Sequence, residues 1–307
     1  MLSIVTTVYK SEAYLPQFME ECLKVLKELE CPQYEMIFVL DGITDASKDW
    51  LLAQQRLTPE IKVVELSRNF GHHAAISAGL AQSTGDLVFL IDCDLEVSPS
   101  VLIDFMALWE SCQVDVVFGV QRQRKGGFLE KHMGSLFWKL FNYLSDTQVP
   151  PSMVTERLMT REYVQALLSM GDKNLFLAGM MHWIGFDQVS CTVVKGQRKG
   201  ESTYTFRKRV DLLVEALLAF SDKPLKWILY GGLGCILLSI AFLFGLLLGA
   251  FTHTLYAFLI FALGAVLSAL GMIGMYLSRI SNQVKSRPLY WVKKVYQLPD
   301  SHQPKSI

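Results

Sequence analysis

The feature that most constrains this chain is a long stretch without any charged side chain. The 52 residues between Lys226 and Arg279 contain no Asp, Glu, Lys or Arg. A membrane-spanning helix needs about 20 apolar residues, so this stretch is long enough for two spans and a tight turn. We predict spans near Ile228–Ala250 and Leu255–Leu277, joined at residues 251–254. Basic residues flank both outer ends, which predicts that both ends face the cytoplasm.

The charge of the chain is segregated, although its formal net charge is zero. Residues 1–194 carry 15 basic and 24 acidic side chains, whereas residues 195–307 carry 14 basic and 5 acidic ones. A basic C-terminal third favours an anionic partner such as a lipid bilayer, and nothing in the pattern indicates nucleic acid. The basic run Arg207–Arg209 opens an amphipathic segment that ends at Ser221 and is predicted to lie on the membrane surface. A second amphipathic segment, Phe128–Leu144, fits either a core-packing helix or a membrane-surface helix.

Before these segments the chain alternates strand-like and helix-like stretches. Apolar and β-branched runs predict five strands, at Ser3–Tyr9, Met36–Leu40, Ile61–Leu66, Leu87–Ile91 and Val114–Val120. Helices are predicted between them at Ala13–Leu29, Asp45–Arg56, Gly71–Gln82 and Pro99–Ser111. Such repeated units predict an α/β fold with a doubly wound, mostly parallel sheet, followed by the amphipathic helix and the two-helix hairpin.

The fourth predicted strand ends in three acidic residues. Asp92, Asp94 and Glu96 occupy every second position directly after the apolar run. Because an isolated buried charge is costly, we expect them at the C-terminal end of the strand, where open α/β sheets bind ligands. Oxygen ligands with this spacing suit Mg²⁺ or Mn²⁺, which in turn hold phosphate oxygens. The alternative interpretation is a solvated acidic turn.

Polar residues also follow two other predicted strands. Asp41-Gly42 ends the second strand, where a carboxylate can accept a hydrogen bond from a nucleoside, although a simple turn is the alternative. The segment Ser67–His73 follows the third strand and opens a helix, whose N-terminus favours an anion. We interpret His72 and His73 in this segment as structural.

Taken in order, these segments resemble a known family. The stretches Ser3–Tyr9, Val39–Asp45, Ser67–Gly71 and Asp92–Glu96 resemble family 2 glycosyltransferases of the GT-A fold. Other features narrow the resemblance to the polyprenyl-phosphate branch, which includes dolichol-phosphate mannose synthase and the bactoprenol glucosyltransferases. These features are Arg122 and Arg124, Arg157–Met159, Gly200–Tyr204, the apolar hairpin, Arg279 and Arg287–Tyr290.

The resemblance implies roles for individual residues. Asp94, Glu156 and Arg157 would form the catalytic group, and Asp92, Asp94 and Glu96 would hold a Mg²⁺ or Mn²⁺ cofactor. The residues implied in binding the donor or its phosphate groups are Asp41, Arg68, Asp92, Arg122, Arg124, Arg198 and Ser202.

The chain departs from the family pattern at three places. The usual Asp-Asp-Gly is Leu40-Asp41-Gly42 here, which removes one donor-side carboxylate. The Asp that the family commonly carries as catalytic base is replaced by Thr155-Glu156. Thr203 stands where the family has a lysine, so we expect Lys199 or Arg198 to supply that charge.

The resemblance implies an inverting hexosyltransferase that moves a sugar from a nucleotide sugar to undecaprenyl or another polyprenyl phosphate, for a cell-surface glycan such as O-antigen. A phosphate nucleophile is ionised near pH 7, with a second pKa of about 6, so the missing Asp is tolerable. The expected parts are a cytoplasmic GT-A domain (1–206), a juxtamembrane amphipathic helix (207–226), two transmembrane helices (227–278) and a cytoplasmic tail (279–307) at the bacterial inner membrane.

Two other interpretations stay open. One is a membrane glycosyltransferase that acts on a glycolipid or polysaccharide, although the Gln-x-x-Arg-Trp motif and extra spans of processive synthases are missing. The other is a non-catalytic membrane scaffold, for which Thr155-Glu156 is the sole support. In either case Gly245-x-x-x-Gly249 and Gly264-x-x-x-Ser268 allow close helix contacts, within the hairpin or between protomers of a homo-oligomer.

Overall fold

The fold is taken from a computed structural model of the chain. It describes residues 1–42, 44–121, 143, 150, 152–172, 177–196, 223–247 and 255–298. The two predicted amphipathic helices lie outside the described residues, apart from Tyr143. Four predicted ligand-binding residues also lie outside them, namely Arg122, Arg124, Arg198 and Ser202.

In the part of the chain that the structure describes, eight strands form one mixed sheet. They are β1 (Leu2–Val8), β2 (Tyr34–Leu40), β3 (Ile61–Leu66), β4 (Leu87–Leu90), β5 (Val116–Gln121), β6 (Met153–Thr160), β7 (Gln188–Val193) and β8 (Val292–Tyr296). Their order across the sheet is β7-β5-β6-β4-β1-β2-β3-β8. Strands β1 to β4 run parallel, while β6 is antiparallel to β4 and β5, and β8 is antiparallel to β3. The predicted α/β sheet is confirmed, and β6, β7 and β8 are strands that the sequence did not predict.

Helices cover both faces of the sheet. They are α1 (Leu15–Glu28), α2 (Ser47–Gln55), α3 (His72–Gln82), α4 (Val101–Cys112), α5 (Arg161–Ser169), α6 (Leu177–Trp183), α7 (Lys223–Leu247) and α8 (Leu255–Val284). Successive strand residues point to opposite faces. Ile4 and Phe38 pack in the core that contains Phe18 of α1, whereas Val5 and Val39 pack in the core beneath α3, α5 and α6. The result is a three-layer α/β domain.

Small residues let α3 approach the sheet closely. A Cβ atom at Gly79 would come within 2.5 Å of Val5 and 2.9 Å of Val39. This approach fixes the N-terminus of α3 next to the ends of β1 and β4. Because β1 to β4 are parallel, the loops that follow them all lie at one edge of the sheet, which is where the predicted site residues stand.

The two C-terminal helices are long, apolar and exposed. Among the described residues, the stretch Phe261–Val284 has the length and composition to cross a membrane, with a mean hydropathy of 1.8 and none of its most apolar window buried. Large apolar side chains on α7, such as Leu237 and Leu238, are more than half exposed as well. No described atom lies within 4 Å of a Cβ placed at Gly264.

Strand β8 returns the chain to the sheet after the two apolar helices. It pairs with β3 and places Lys293 and Tyr296 beside Glu65, whose side chain is 5% exposed. The Glu65 carboxylate accepts hydrogen bonds from Lys293 Nζ at 2.8 Å, Tyr296 Oη at 2.8 Å and Lys48 Nζ at 2.7 Å. Burial alone would raise the pKa of Glu65, but these three donors outweigh it and lower the pKa to about 2. Glu65 thus ties α2, β3 and β8 together.

This arrangement predicts an acid-sensitive attachment of β8. Because the pKa of Glu65 is lower in the folded state, its contribution to stability is full above about pH 4.5 and is lost as the pH falls towards 2. We expect a loss on the order of 3 kcal/mol in unfolding free energy across that window. Chemical denaturation of wild type and Glu65→Gln at a series of pH values measures it. Glu35, whose pKa is also lowered, is common to both proteins, so their difference isolates Glu65. An identical pH dependence in the two proteins would contradict the assignment.

Candidate active site

The acidic residues after β4 form a tight turn. Asp94 Oδ1 accepts a hydrogen bond from the backbone N–H of Glu96 at 3.0 Å. Leu95 between them has a positive φ of 59°, which is uncommon for a branched side chain. We call residues 92–96 the acidic turn. The turn directs Asp92 and Asp94, both half-buried, towards the carboxyl edge of the sheet.

Glu96 is engaged by the segment that follows β7. Lys195 Nζ lies 2.5 Å from Glu96 Oε2, and the backbone N–H of Gly196 donates to the Glu96 carbonyl at 2.6 Å. Two contacts therefore fasten residues 195–196 to the acidic turn. A direct metal contact by Glu96, as the sequence predicted, would compete with this ion pair.

Asp92 is linked to the N-terminus of α3 through a histidine. His72 Nε2 lies 3.5 Å from Asp92 Oδ1, and His72 Nδ1 lies 3.1 Å from Thr7 Oγ1 at the end of β1. The histidine side chain is 39% exposed, so it is not part of the core. Contacts at both ring nitrogens fix the orientation of the ring beside the carboxylate.

Glu156 adds a fourth carboxyl group to the region of Asp92, Asp94 and Glu96. It lies on β6, its residue is 2% exposed, and its Oε2 has no hydrogen-bond partner in the described part of the chain. Burial and the nearby charges of Asp92 and Asp94 raise the pKa of Glu156 to about 8, although Lys195 opposes them. Because these carboxylates repel one another, a cation bound among them would be stabilised by their negative charge.

Asp41 anchors the loop between β3 and α3. Its Oδ1 accepts from the N–H of Phe70 at 2.7 Å and its Oδ2 from the N–H of Gly71 at 3.0 Å. Asn69 Nδ2 donates to the Asp41 carbonyl at 3.1 Å. Gly42 has a φ of +74°, and a Cβ there would lie 2.6 Å from the backbone N of Asn69, which explains the Asp-Gly sequence. Asp41 is only 3% exposed, so this anchoring role is clear, while its predicted nucleoside contact stays a prediction.

The same loop carries Arg68 on its outer side. Its guanidinium lies 4.0 Å from the centre of the Phe70 ring, and Nη1 donates to the Asn69 carbonyl at 2.9 Å. The side chain is therefore held at the surface near the ends of β2 and β3. The structure thus leaves Arg68 accessible to an anionic ligand.

The acidic turn has the donor chemistry that a divalent cation needs. Among the described residues, no three His, Cys, Asp or Glu side chains converge on one point. Asp92 and Asp94 nevertheless stand at the sheet edge with the unpartnered oxygen of Glu156 buried nearby. Two hard carboxylates suit an ion that takes its remaining ligands from phosphate oxygens and water, as Mg²⁺ does at phosphate sites. The residues present therefore fit such an ion.

The structure brings together some of the predicted residues and separates others. Asp92, Asp94, Glu96 and Glu156 share one region, whereas Asp41 and Arg68 lie at the ends of β2 and β3. His72 and Lys195 also reach the acidic turn but were not predicted as site residues. His72 carried a weak signal, since it follows a strand end. Lys195 carried none, because β7 was not predicted.

Comparisons with known proteins identify the family of the chain. The sequence profile described as Glycosyl transferase family 2 matches residues 3–168. The uncharacterized glycosyltransferase YkcC of Bacillus subtilis is 32% identical over 304 residues, which is 96% of this chain and 94% of that protein. The chain belongs to glycosyltransferase family 2. The chain is therefore a glycosyltransferase enzyme.

Two further family 2 relatives carry more specific names. The SfII prophage-derived bactoprenol glucosyl transferase of Shigella flexneri is 30% identical over 308 residues, covering 96% of this chain and 98% of that protein. The undecaprenyl-phosphate 4-deoxy-4-formamido-L-arabinose transferase of Proteus mirabilis is 30% identical over 310 residues, covering 96% and 93%. Among solved structures, the mannosyltransferase PcManGT of Pyrobaculum calidifontis, in complex with GDP-Man and Mn²⁺, has a TM-score of 0.47 at 18% identity, covering 93% and 86%.

Proposed function

We propose that this family 2 glycosyltransferase transfers a sugar from a nucleotide sugar to a polyprenyl phosphate with inversion at the anomeric carbon. The observation that carries the proposal is the paired Asp92 and Asp94 at the edge of a sheet whose last strand follows two exposed apolar helices. Relatives with near full-length matches are named for bactoprenol and undecaprenyl phosphate acceptors, which supports the same acceptor class.

The donor side is built on the acidic turn. Asp92 and Asp94 are the proposed ligands of Mg²⁺ or Mn²⁺, with His72 holding Asp92 in orientation. Such an ion, when bound, supplies positive charge to the leaving nucleoside diphosphate. Asp41 and Arg68 are proposed to face the nucleoside part, and the predicted phosphate contacts of Arg122, Arg124, Arg198 and Ser202 belong to the same proposal. Lys195 pairs with Glu96 of the acidic turn. We propose that it adds to the positive charge that is lost where Thr203 replaces the lysine of the family.

The acceptor side needs little proton chemistry. An oxygen of the lipid phosphate attacks the anomeric carbon, the bond from that carbon to the diphosphate oxygen breaks, and the nucleoside diphosphate leaves with the electron pair. The phosphate is already ionised near pH 7, so the reaction requires no strong base. Glu156 is buried and the charges of Asp92 and Asp94 help to raise its pKa, so we infer that it acts on the charge of the acidic turn rather than on the acceptor.

The membrane arrangement supports a lipid acceptor. Helices α7 and α8 expose large apolar surfaces, which a bilayer would cover. Strand β8 follows α8 and pairs with β3, so the C-terminal end of α8 stands on the side of the sheet. We therefore propose a hairpin that crosses the bacterial inner membrane twice and holds the catalytic domain at the cytoplasmic surface. The tail of an isoprenoid phosphate can then stay in the bilayer while its head group reaches the site.

Reconstitution tests this function. We expect membranes that contain the protein, a nucleotide sugar, Mg²⁺ and undecaprenyl phosphate to form a monosaccharide-phosphate lipid that releases free sugar in mild acid. Mass spectrometry of the lipid fraction detects the product, and the nucleoside diphosphate should appear in equal amount. Without the lipid phosphate, we expect release of the diphosphate to fall to the background rate.

Two controls separate the alternatives. Replacing Arg207, Lys208 and Arg209 with Gln should weaken use of the lipid more than binding of the donor, because these charges are proposed to meet anionic head groups. Equal transfer to a water-soluble sugar or polysaccharide, without any lipid phosphate, would reject the proposed acceptor. Failure of a folded, donor-binding protein to transfer sugar to any acceptor would favour the scaffold interpretation.

A further inference from the structure

One buried arginine on β6 has no acidic partner among the described residues. Arg157 is 2% exposed; its Nε donates to the Thr155 carbonyl at 3.2 Å and its Nη2 to the Val154 carbonyl at 3.4 Å. Its Nη1 has no hydrogen-bond partner of good geometry in the described part of the chain, and the neighbouring Tyr163 hydroxyl donates its own proton to the Met181 carbonyl. A buried cation without a counter-ion is expensive. The cost indicates that the structure keeps this group for a ligand.

The neighbouring carboxyl group of Glu156 does not act as the counter-ion of Arg157. Glu156 and Arg157 are successive residues of a strand, so their side chains leave opposite faces of the sheet. Glu156 shares its face with Leu158 of the α1 core, whereas Arg157 shares its face with Met159 of the α3 core. Nη1 is therefore left on the α3 side without this carboxylate.

A second, partly buried arginine in the same domain has all of its donor nitrogens hydrogen-bonded to the backbone. Arg161, four residues further on, donates from Nε to the Gly85 carbonyl at 2.8 Å and from Nη1 to the Ser83 carbonyl at 3.0 Å. Its Nη2 also donates to the Gly85 carbonyl. Each of its donor nitrogens thus has a backbone partner. Arg161 is accordingly a matched control for Arg157.

Arg157 lines a cavity of about 270 Å³ at the carboxyl edge of the sheet. Lys195, His72 and His73 line the same cavity, and Leu177 and Met181 form part of its apolar wall. None of the described lining residues is acidic. The acidic turn lies next to this cavity, since His72 and Lys195 contact both. The cavity therefore offers a cationic site beside the carboxylate site.

We propose that this cavity is a phosphoryl-binding subsite in which Arg157 Nη1 donates to a phosphate oxygen and Lys195 adds positive charge. The inference rests on the proposed function and extends it to a group that the acidic turn does not hold. The phosphoryl group has two sources in the reaction, the diphosphate of the nucleotide sugar and the phosphate of the lipid acceptor. Both present the same oxygen acceptors to a guanidinium group.

The test compares Arg157→Met, Arg157→Lys and the control Arg161→Lys in the full-length protein. Half-saturating concentrations are measured for the donor by equilibrium binding without acceptor, and for undecaprenyl phosphate by initial rates. Loss of a charge-assisted hydrogen bond should raise one of these concentrations about 10- to 100-fold in Arg157→Met. A change for the lipid alone assigns the subsite to the acceptor, and a change for the donor alone assigns it to the diphosphate. We expect an intermediate effect in Arg157→Lys and none in Arg161→Lys.

Thermal unfolding distinguishes a ligand site from a structural role. Replacing Arg157 with Met removes a buried charge without a counter-ion together with two long backbone hydrogen bonds, so we expect little change in the melting temperature. Inorganic pyrophosphate, added with excess chelator to silence the acidic turn, should stabilise wild type and Arg161→Lys but not Arg157→Met. This arm needs neither sugar transfer nor lipid, so it stands even if the proposed acceptor is wrong. Unchanged half-saturation for both substrates, or a steep fall in the melting temperature of Arg157→Met, would overturn the proposal.

Discussion

We expect Asp94→Asn to reduce sugar transfer on the order of 1,000-fold while leaving the fold intact. The substitution removes one charge from the acidic turn but keeps the side-chain oxygen that accepts from the N–H of Glu96. The turn should therefore hold its shape, and the melting temperature should stay close to that of wild type. Initial rates at saturating donor and acceptor measure the effect.

The metal requirement is checked beside this variant. Exhaustive chelation of wild type should mimic Asp94→Asn, and added Mg²⁺ or Mn²⁺ should restore only the wild-type rate. Binding of Mn²⁺, followed by the electron paramagnetic resonance signal of the free ion, should weaken in Asp94→Asn. Asp104→Asn, an exposed change on α4, serves as the control and should alter nothing. A wild-type enzyme that keeps its full rate after chelation would rule out the metal role of Asp92 and Asp94.

The second large effect concerns membrane topology, where labelling should be all or none. In a chain with its native cysteines replaced, an impermeant maleimide added to intact spheroplasts should reach Thr252→Cys only. Ser100→Cys in the catalytic domain and Lys294→Cys on β8 should react after permeabilisation. The physical reason is the pairing of β8 with β3, because a strand can join the sheet only on the side where the sheet folds. Labelling of Lys294→Cys from outside would exclude the two-crossing hairpin.

The inner strands could be predicted because their sequences are uniform in character. β1 to β4 are buried and mostly apolar, with charged side chains only at Glu35, Lys62 and Glu65, and each predicted boundary lies within a few residues of the observed one. β6 escaped prediction because it buries Glu156 and Arg157 in its centre, against the usual rule for a strand. β8 escaped because Lys293 and Lys294 make it read as a solvated tail, whereas one of these lysines neutralises Glu65. In both cases the strand forms through contacts with residues that are distant in the sequence, and the local sequence pattern does not show these contacts.

The candidate site likewise has residues that could be predicted from the sequence and contacts that could not. Asp92 and Asp94 could be located from the sequence, because an apolar run that stops at carboxylates fixes both the strand and its exposed end. The contact of Lys195 with Glu96 joins residues 99 positions apart and depends on the placement of β7 in the sheet. The anchoring of residues 70 and 71 by Asp41 likewise depends on how two loops meet. Sequence spacing gives the chemistry of each group but not which group is already engaged.

The position of β8 also has a consequence for how the protein is made. During synthesis, β3 leaves the ribosome more than 200 residues before its outer neighbour, so until residue 292 emerges it has a bare edge. Exposed strand edges are templates for aggregation, and nascent domains with unpaired edges depend on chaperones. The outer edge of β3 is covered by β8 only after both apolar helices have been synthesised. A chain truncated before residue 292 would keep this edge open, so we expect such a chain to aggregate more readily than the chain that includes β8.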